Sequence, residues 1–107
     1  MKEVTTGFKM FMEDTEGVGM AFMEAVEKLA QKSALEAKTH ELAYLSVLTV
    51  ARMYGGLPFH VGRAKELGAS FEEVRSAILV PMPVIGLQVS DALILAYESY
   101  YKIKAHE

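Results

Sequence analysis

KTHELAYLSVLTVARMYGGLPFHVGRAKELGASFEEVRSAI, residues 38–78, is the stretch that decides the fold of this chain. Its apolar residues recur at intervals of three and four, which is typical of helices with one buried face. Gly55 and Gly56 interrupt the pattern, Gly68 interrupts it again, and Ser70 is followed by Glu73. Glycine commonly ends a helix, and serine with glutamate three positions later is a capping box that begins one. The stretch therefore predicts three consecutive helices.

The same periodicity continues on both sides of this stretch. No segment alternates as a strand would, and no internal repeat is present. The sequence predicts an all-α fold of about five to six helices in one domain over residues 1–107. The helices are expected around Phe8–Met12, from Asp14 or Thr15 to about Lys32, from about His40 to Met53 with Thr39 as cap, from Pro58 to Gly68, from Ser70 through Leu79, and over residues 85–103.

Composition and charge exclude several functions. The chain has 107 residues, 51% of them hydrophobic and 23% charged, which is typical of a folded domain. Its net charge of -3, with both signs interspersed, provides no basic surface for nucleic acid. The N-terminal sequence does not resemble a signal peptide, so we expect a cytoplasmic protein. Two prolines, Gln88 and Asp91 interrupt the most apolar stretch, residues 77–95, so we expect no membrane span.

Methionine and phenylalanine are frequent, with seven and five residues, many of them in the first thirty positions. Methionine fills irregular gaps in cores and is also common on adaptable contact surfaces. Two interpretations therefore remain open: these residues complete the core, or they form the interface of a homo-oligomer buried through the N-terminal helices.

His60 and Glu41 are the residues whose chemistry stands out. His60 follows the glycine break in the first turn of its predicted helix, and Glu41 lies in the first turn of the preceding one. Histidine is the side chain best suited to proton transfer near neutral pH, and a carboxylate can orient its ring. Nineteen residues separate the two, and a strict helical hairpin would place them far apart, so the local pattern does not establish a contact. The alternative is that both residues are structural. His60 would then be a hydrogen-bonded histidine at a helix start, and Glu41 a favourable charge in the first turn of its helix.

Residues 38–78 resemble the core of the carboxymuconolactone decarboxylase and alkylhydroperoxidase D family. That family shows Lys-Thr-x-Glu-Leu, a central helix, Cys-x-x-Cys-x-x-x-His, and then Ala-x-x-x-Gly followed by a serine or threonine turn with two glutamates. The matching residues here are Lys38, Thr39, Glu41, Leu42, His60, Ala64, Gly68, Ala69, Ser70, Glu72 and Glu73. The resemblance implies an all-helical homo-oligomer, a trimer or hexamer, with Glu41 and His60 in a small pocket.

This chain departs from the family pattern at both cysteines, whose positions are occupied by Met53 and Gly56. The chain has no cysteine at all, so disulfides, thiolate metal ligands and thiol nucleophiles are excluded. A thiol peroxidase needs one thiolate to attack the peroxide and a second thiol to resolve the product. Antioxidant or peroxiredoxin activity would therefore rest on the family label alone.

The decarboxylase branch does not need cysteine. Loss of carbon dioxide from a lactone carboxylate moves electrons toward the lactone carbonyl and ends with protonation at carbon. The resemblance thus assigns His60 as acid or base and Glu41 as the group that orients it. Arg63 and Arg52 are candidate substrate-binding residues because guanidinium groups bind carboxylates, although neither belongs to a family motif.

We expect a small-molecule substrate, no cofactor and no metal. His40 and Glu41 are adjacent and point about 100° apart on a helix, which does not favour metal binding; His106 lies near the chain end. A non-catalytic, ligand-binding oligomer remains the alternative to an acid–base enzyme.

Overall fold

The computed structural model describes residues 4–104, and this part of the chain is all-helical, which confirms the predicted fold class. No strand occurs among the described residues. Short 3-10 turns at Tyr54–Gly56 and Gly86–Gln88 precede the fourth and seventh helices. The α-helices are α1 Thr6–Glu13, α2 Val18–Lys32, α3 Ala37–Ala51, α4 Leu57–Glu66, α5 Phe71–Leu79, the single turn α6 Met82–Ile85, and α7 Val89–Tyr101.

The core lies between α3, α4, α5 and α7. Helix α3 is central, as its nearly all-round apolar sequence predicts, because it packs against each of the other three. Its one buried polar side chain, Thr49, donates a hydrogen bond of 2.8 Å to the carbonyl of Leu45 in the preceding turn. The buried core residues are Leu45, Leu48, Leu57, Val61, Ala64, Ala69, Val74, Ala77, Ile78, Ala92 and Ala96.

The capping box predicted at Ser70 is confirmed. The Ser70 hydroxyl accepts the amide of Glu73 at 3.1 Å, and the Glu73 carboxylate accepts the amide of Ser70 at 3.0 Å. Gly68 has a positive φ of 97°, a conformation that glycine adopts without steric cost. Together these residues end α4 and begin α5 within a few positions.

The predicted bounds of α3 are wrong at both ends. The helix begins at Ala37 with Glu36 in the N-cap position, and Thr39 lies inside its first turn. The Thr39 hydroxyl bonds to the Glu36 carboxylate at 3.3 Å instead of capping the backbone. At the other end Arg52 adopts φ 57° and ends the helix, which leaves the two glycines to the following 3-10 turn. Arg52, in the left-handed conformation, therefore ends the helix three residues before Gly55, the residue that was expected to end it.

Two other helix starts also fall later than predicted. Helix α2 begins at Val18, where the Thr15 hydroxyl accepts the amide of Gly19 at 2.9 Å after a left-handed Gly17. Helix α7 begins at Val89 because Gly86, with φ 67°, interrupts the chain after α6. The bends shorten both helices without changing the order of elements.

By length and composition alone, the helical run Phe71–Tyr101 is apolar enough to cross a membrane, which is weak evidence because core helices of soluble proteins pass the same test. The described structure interrupts this run at α6 and folds it into a hairpin. Phe71 at the start of α5 contacts Tyr97 and Tyr100 near the end of α7, with ring centroids 5.5 and 5.7 Å apart. The two long helices of the run therefore pack antiparallel against each other.

Candidate active site

Glu41 and His60 form a hydrogen-bonded pair. Nδ1 of His60 lies 2.8 Å from Oε1 of Glu41, and the two side chains are 25% and 15% exposed. An ionised carboxylate only accepts hydrogen bonds, so the proton of this bond belongs to Nδ1. The second ring nitrogen, Nε2, has no hydrogen-bond partner among the described residues, and no unpartnered side-chain nitrogen or oxygen in that range is buried. Nε2 is therefore accessible to solvent and to a ligand.

The turn between α3 and α4 explains how these residues meet. Met53 donates its amide to the carbonyl of Leu48 at 3.0 Å, so the chain folds back along α3 as soon as that helix ends. Gly56 then lies against Leu48, since a Cβ there would be 3.3 Å from both Leu48 methyl groups. His60, one turn into α4, lies over Tyr44 of α3. Glu41 lies one helical turn before Tyr44 on α3 and so comes within reach of the His60 ring.

Two aromatic side chains hold the imidazole ring of His60. The Tyr44 ring lies 4.5 Å from it between centroids, and the Phe59 ring lies 5.1 Å from it nearly edge-on. Tyr44 is 39% exposed and so borders the open side of the pair. Sequence reasoning missed both residues; the signals that could have found them are the three-residue spacing of Glu41 and Tyr44 and the adjacency of Phe59 and His60.

The two candidate substrate-binding arginines contact side chains other than those of the pair. Arg52 donates from Nε to the side-chain oxygen of Gln88 at 3.1 Å, and Arg63 lies 4.0 Å from the carboxylate of Glu66. No bond within the described residues joins either guanidinium to Glu41 or His60. Both arginines are exposed, and their role in binding an anion stays a prediction.

Met53 and Gly56, at the positions where the family pattern has cysteines, lie on one tight turn. The Gly56 amide donates to the carbonyl of Met53 at 3.1 Å, which places the two positions on one tight turn beside His60. Met53 is 62% exposed, so its thioether is open to solvent. The turn carries no thiol.

Lys38 and Glu73 of the family pattern have a structural role. Lys38 Nζ contacts both carboxylate oxygens of Glu73, at 3.3 and 3.1 Å, and links the first turns of α3 and α5. The backbone hydrogen bond from Ser70, and then the bond from Lys38, lower the pKa of the Glu73 carboxyl. Glu73 therefore both caps the start of α5 and attaches α5 to α3 through Lys38.

The two best-formed depressions among the described residues are not lined by Glu41 or His60. They lie beside α7 and have volumes of about 430 and 350 Å³. Within residues 4–104, no three histidine, cysteine, aspartate or glutamate side chains come together as a metal site. His106 lies outside the described residues.

The fold and the site define a small, cysteine-free, all-helical protein with a Glu–His pair on two antiparallel helices. The model of the carboxymuconolactone decarboxylase family matches residues 17–98. The chain belongs to this family. Comparison with curated proteins and with solved structures gave no match.

Proposed function

We propose that this protein is an acid–base enzyme that decarboxylates, or otherwise transfers protons on, a small lactone-type carboxylate. The observation that supports it is the 2.8 Å bond between His60 Nδ1 and Glu41, with Nε2 left accessible. This arrangement fixes the tautomer of the ring and leaves one nitrogen for chemistry. His60 is the catalytic residue of the proposal, and Glu41 is its positioning residue.

The proposed step is balanced within the substrate and the histidine. The bond between the carboxylate carbon and the ring carbon breaks, carbon dioxide leaves, and the electron pair moves toward the lactone carbonyl. Protonated Nε2 of His60 then donates a proton to carbon, and the neutral ring takes up another proton from water. No thiol or external oxidant takes part, in keeping with the absence of cysteine.

The test replaces His60 by a residue that keeps its bond but not its proton chemistry. In His60→Gln the side-chain amide can still donate to Glu41, so the fold should persist. Release of carbon dioxide from carboxymuconolactone and related lactone carboxylates should fall by about 10² to 10⁴, the usual contribution of a general acid. His40→Gln is the matched control and should retain turnover; unchanged turnover in His60→Gln would remove the proposal.

A ligand-binding oligomer without turnover is the second candidate. The Glu–His pair is compatible with it, because an oriented ring with an accessible Nε2 can bind a carboxylate without transferring a proton. In that case the same lactone carboxylates would bind without reaction, and His60→Gln would change their dissociation constant alone.

A further inference from the structure

The depression of about 350 Å³ lies on the surface between the antiparallel helices α5 and α7. We call it the α5–α7 groove. Its volume falls within the range of about 300 to 1,000 Å³ that is typical of pockets for small ligands. The lining residues are Phe71, Arg75, Ser90, Leu93, Ile94 and Tyr97. The α5–α7 groove is therefore large enough for a small molecule.

Most of the lining of the α5–α7 groove is apolar. Leu93 and Ile94 are half-buried and lie about one helical turn before Tyr97, which is 37% exposed. The ring of Phe71 lies 5.5 Å from that of Tyr97 and nearly perpendicular to it. These side chains present both aliphatic and aromatic carbon, and covering them would remove apolar surface from water. The lining thus favours a ligand with an apolar body.

Arg75 supplies a positive charge that has no carboxylate partner among residues 4–104. Its guanidinium carbon lies 5.8 Å from the centre of the Phe71 ring, one turn earlier on α5. None of the ion pairs in this part of the chain includes Arg75, although Glu72 lies three residues before it. A cation–π contact uses the face of the guanidinium group and leaves its N–H donors available. Arg75 can therefore bind an anion without first giving up another partner.

Phe71 is itself held by the tyrosines of α7. Its ring lies 5.5, 5.7 and 5.5 Å, between centroids, from those of Tyr97, Tyr100 and Tyr101. A ring contacted by three others has little freedom to turn, so the guanidinium group over it has a defined position before a ligand binds. Ordering a flexible side chain on binding lowers affinity, and a preorganised side chain avoids most of that loss. This arrangement distinguishes Arg75 from a freely moving surface arginine.

Two hydroxyl groups also border the α5–α7 groove. The hydroxyls of Ser99 and Tyr100 bond to backbone carbonyls at 2.7 and 2.8 Å, whereas those of Ser90 and Tyr97 form no hydrogen bond within residues 4–104. Ser90 and Tyr97 are separated by about 10 Å along the axis of α7. That length matches a medium-chain alkyl carboxylate such as octanoate, or an aromatic carboxylate such as hydrocinnamate.

We propose that the α5–α7 groove binds a small monocarboxylate, with Arg75 holding the carboxylate and the apolar lining covering the body of the ligand. A guanidinium group pairs with a carboxylate through two parallel hydrogen bonds, so the charge of Arg75 selects this class of anion. A ligand with several negative charges is disfavoured, because Glu72 and Asp91 are the sequence neighbours of two lining residues. The site does not rest on the proposed function, since neither Glu41 nor His60 lines it.

Titration calorimetry with octanoate and hydrocinnamate tests the proposal. Arg75→Gln removes the charge at an exposed position, so the fold should persist. It should weaken binding of the tighter carboxylate by about ten- to a hundredfold, the usual effect of losing a charge-assisted hydrogen bond. Octanamide, the neutral analogue of octanoate, should bind the unmodified chain more weakly by a similar factor. The tighter of the two carboxylates identifies the body of the ligand as alkyl or aromatic.

Two control variants locate the bound carboxylate. Lys104→Gln removes a positive charge from the other depression, of about 430 Å³, and should leave binding unchanged. His60→Gln should also leave it unchanged. If either control weakens binding as much as Arg75→Gln does, or if neither carboxylate binds the unmodified chain, the proposal is overturned. Loss of turnover in His60→Gln with octanoate binding retained would support both this site and the proposed function, and retained turnover would contradict the proposed function alone.

A second pair of variants tests the apolar lining. Ile94→Ala shortens a lining side chain and should weaken octanoate binding severalfold, because less of the alkyl chain is covered. Val84→Ala is the control, since Val84 is 84% exposed and does not line the α5–α7 groove. Amide chemical shifts recorded with octanoate should change in α5 and α7. Equal binding by Ile94→Ala and Val84→Ala, with shift changes confined to other helices, would show that the carboxylate binds elsewhere.

Discussion

Lys38 Nζ lies 3.1 Å from Glu73 Oε2, and this contact joins the first turns of two core helices that are 35 residues apart in sequence. Glu73 also completes the capping box of Ser70. One carboxylate therefore stabilises the start of α5 and its attachment to α3. Both functions require the ionised form.

The stability of the protein should fall in acid partly through Glu73. Its pKa is lower in the folded chain than the ordinary value of 4.5, so its ionised form stabilises the fold above that pH. The contribution is lost as the pH falls through the folded-state pKa. Urea denaturation at a series of pH values should show a shallower decline below pH 4.5 for Glu73→Gln than for the unmodified chain. Glu72→Gln, at the exposed neighbouring position, should keep the original slope; equal slopes for both variants would contradict the assignment.

The Ser70 cap gives a second prediction at the same helix start. Ser70→Ala removes the hydroxyl that accepts the Glu73 amide and should lower the free energy of unfolding by about 1 kcal/mol. Ser76→Ala is the control because its hydroxyl bonds to the carbonyl of Glu72 inside the helix, where no cap is lost. A loss in Ser70→Ala no greater than in Ser76→Ala would show that the capping box contributes little.

Local patterns in the sequence were sufficient to predict the all-α fold class and the helix boundary at Ser70. A capping box and a glycine stop act within a few residues, so their patterns are visible without the fold. The α3 boundaries were harder, because Thr39 fits the composition of a cap and Arg52 does not resemble a helix stop. Which of several capping residues is used depends on the surrounding packing.

The Glu41–His60 contact could not be predicted from local patterns, because it depends on the path of the chain between α3 and α4. Its position is set by the left-handed Arg52 and by Gly56 lying against Leu48, neither of which can be read from helical periodicity. The family resemblance named the two residues, whereas the aromatic contacts of Tyr44 and Phe59 came from the structure alone. The exposed apolar side chains of α2 and α3 were visible in the sequence only as an excess of apolar residues, because sequence does not show which apolar faces the chain itself covers.

The Glu41–His60 bond should be measurable as an energetic coupling. The two side chains are mostly buried and bonded at 2.8 Å, so removing either leaves a polar group without its partner. A double-mutant cycle of Glu41→Ala, His60→Ala and the double variant should give a coupling of about 1 to 2 kcal/mol in urea denaturation. Additivity within about 0.5 kcal/mol would mean that the bond does not persist in solution.

The unmodified chain should have no thiol-dependent peroxidase activity. Introducing cysteines at Met53 and Gly56 should create that activity. With hydrogen peroxide and dithiothreitol, the unmodified chain should show no consumption above the uncatalysed rate, because it has no thiolate. The M53C/G56C variant places two thiols on one turn beside His60 and should gain activity. Each single variant is a control, since one thiol lacks its resolving partner. Thiol-dependent turnover by the unmodified chain would contradict this prediction.

Two helical glycines should respond in opposite directions to alanine. A Cβ at Gly19 would collide with the backbone carbonyl of Phe11 and lie 2.9 Å from its carbon, whereas a Cβ at Gly62 would meet nothing within 4 Å. Gly62→Ala should therefore raise the free energy of unfolding by about 0.5 to 1 kcal/mol, through the better helix propensity of alanine. Gly19→Ala should lose that gain and force α2 away from α1, at a cost of about 1 to 3 kcal/mol.

Urea denaturation of the two alanine variants tests this prediction. The contact at Gly19 sets the position of α2 against α1, so Gly19→Ala should lower the midpoint of the urea transition. Gly62→Ala should raise that midpoint, because Gly62 lies on α4 with open space around the position of an added Cβ. If Gly19→Ala stabilised the chain as much as Gly62→Ala, close packing of α1 on α2 would be ruled out.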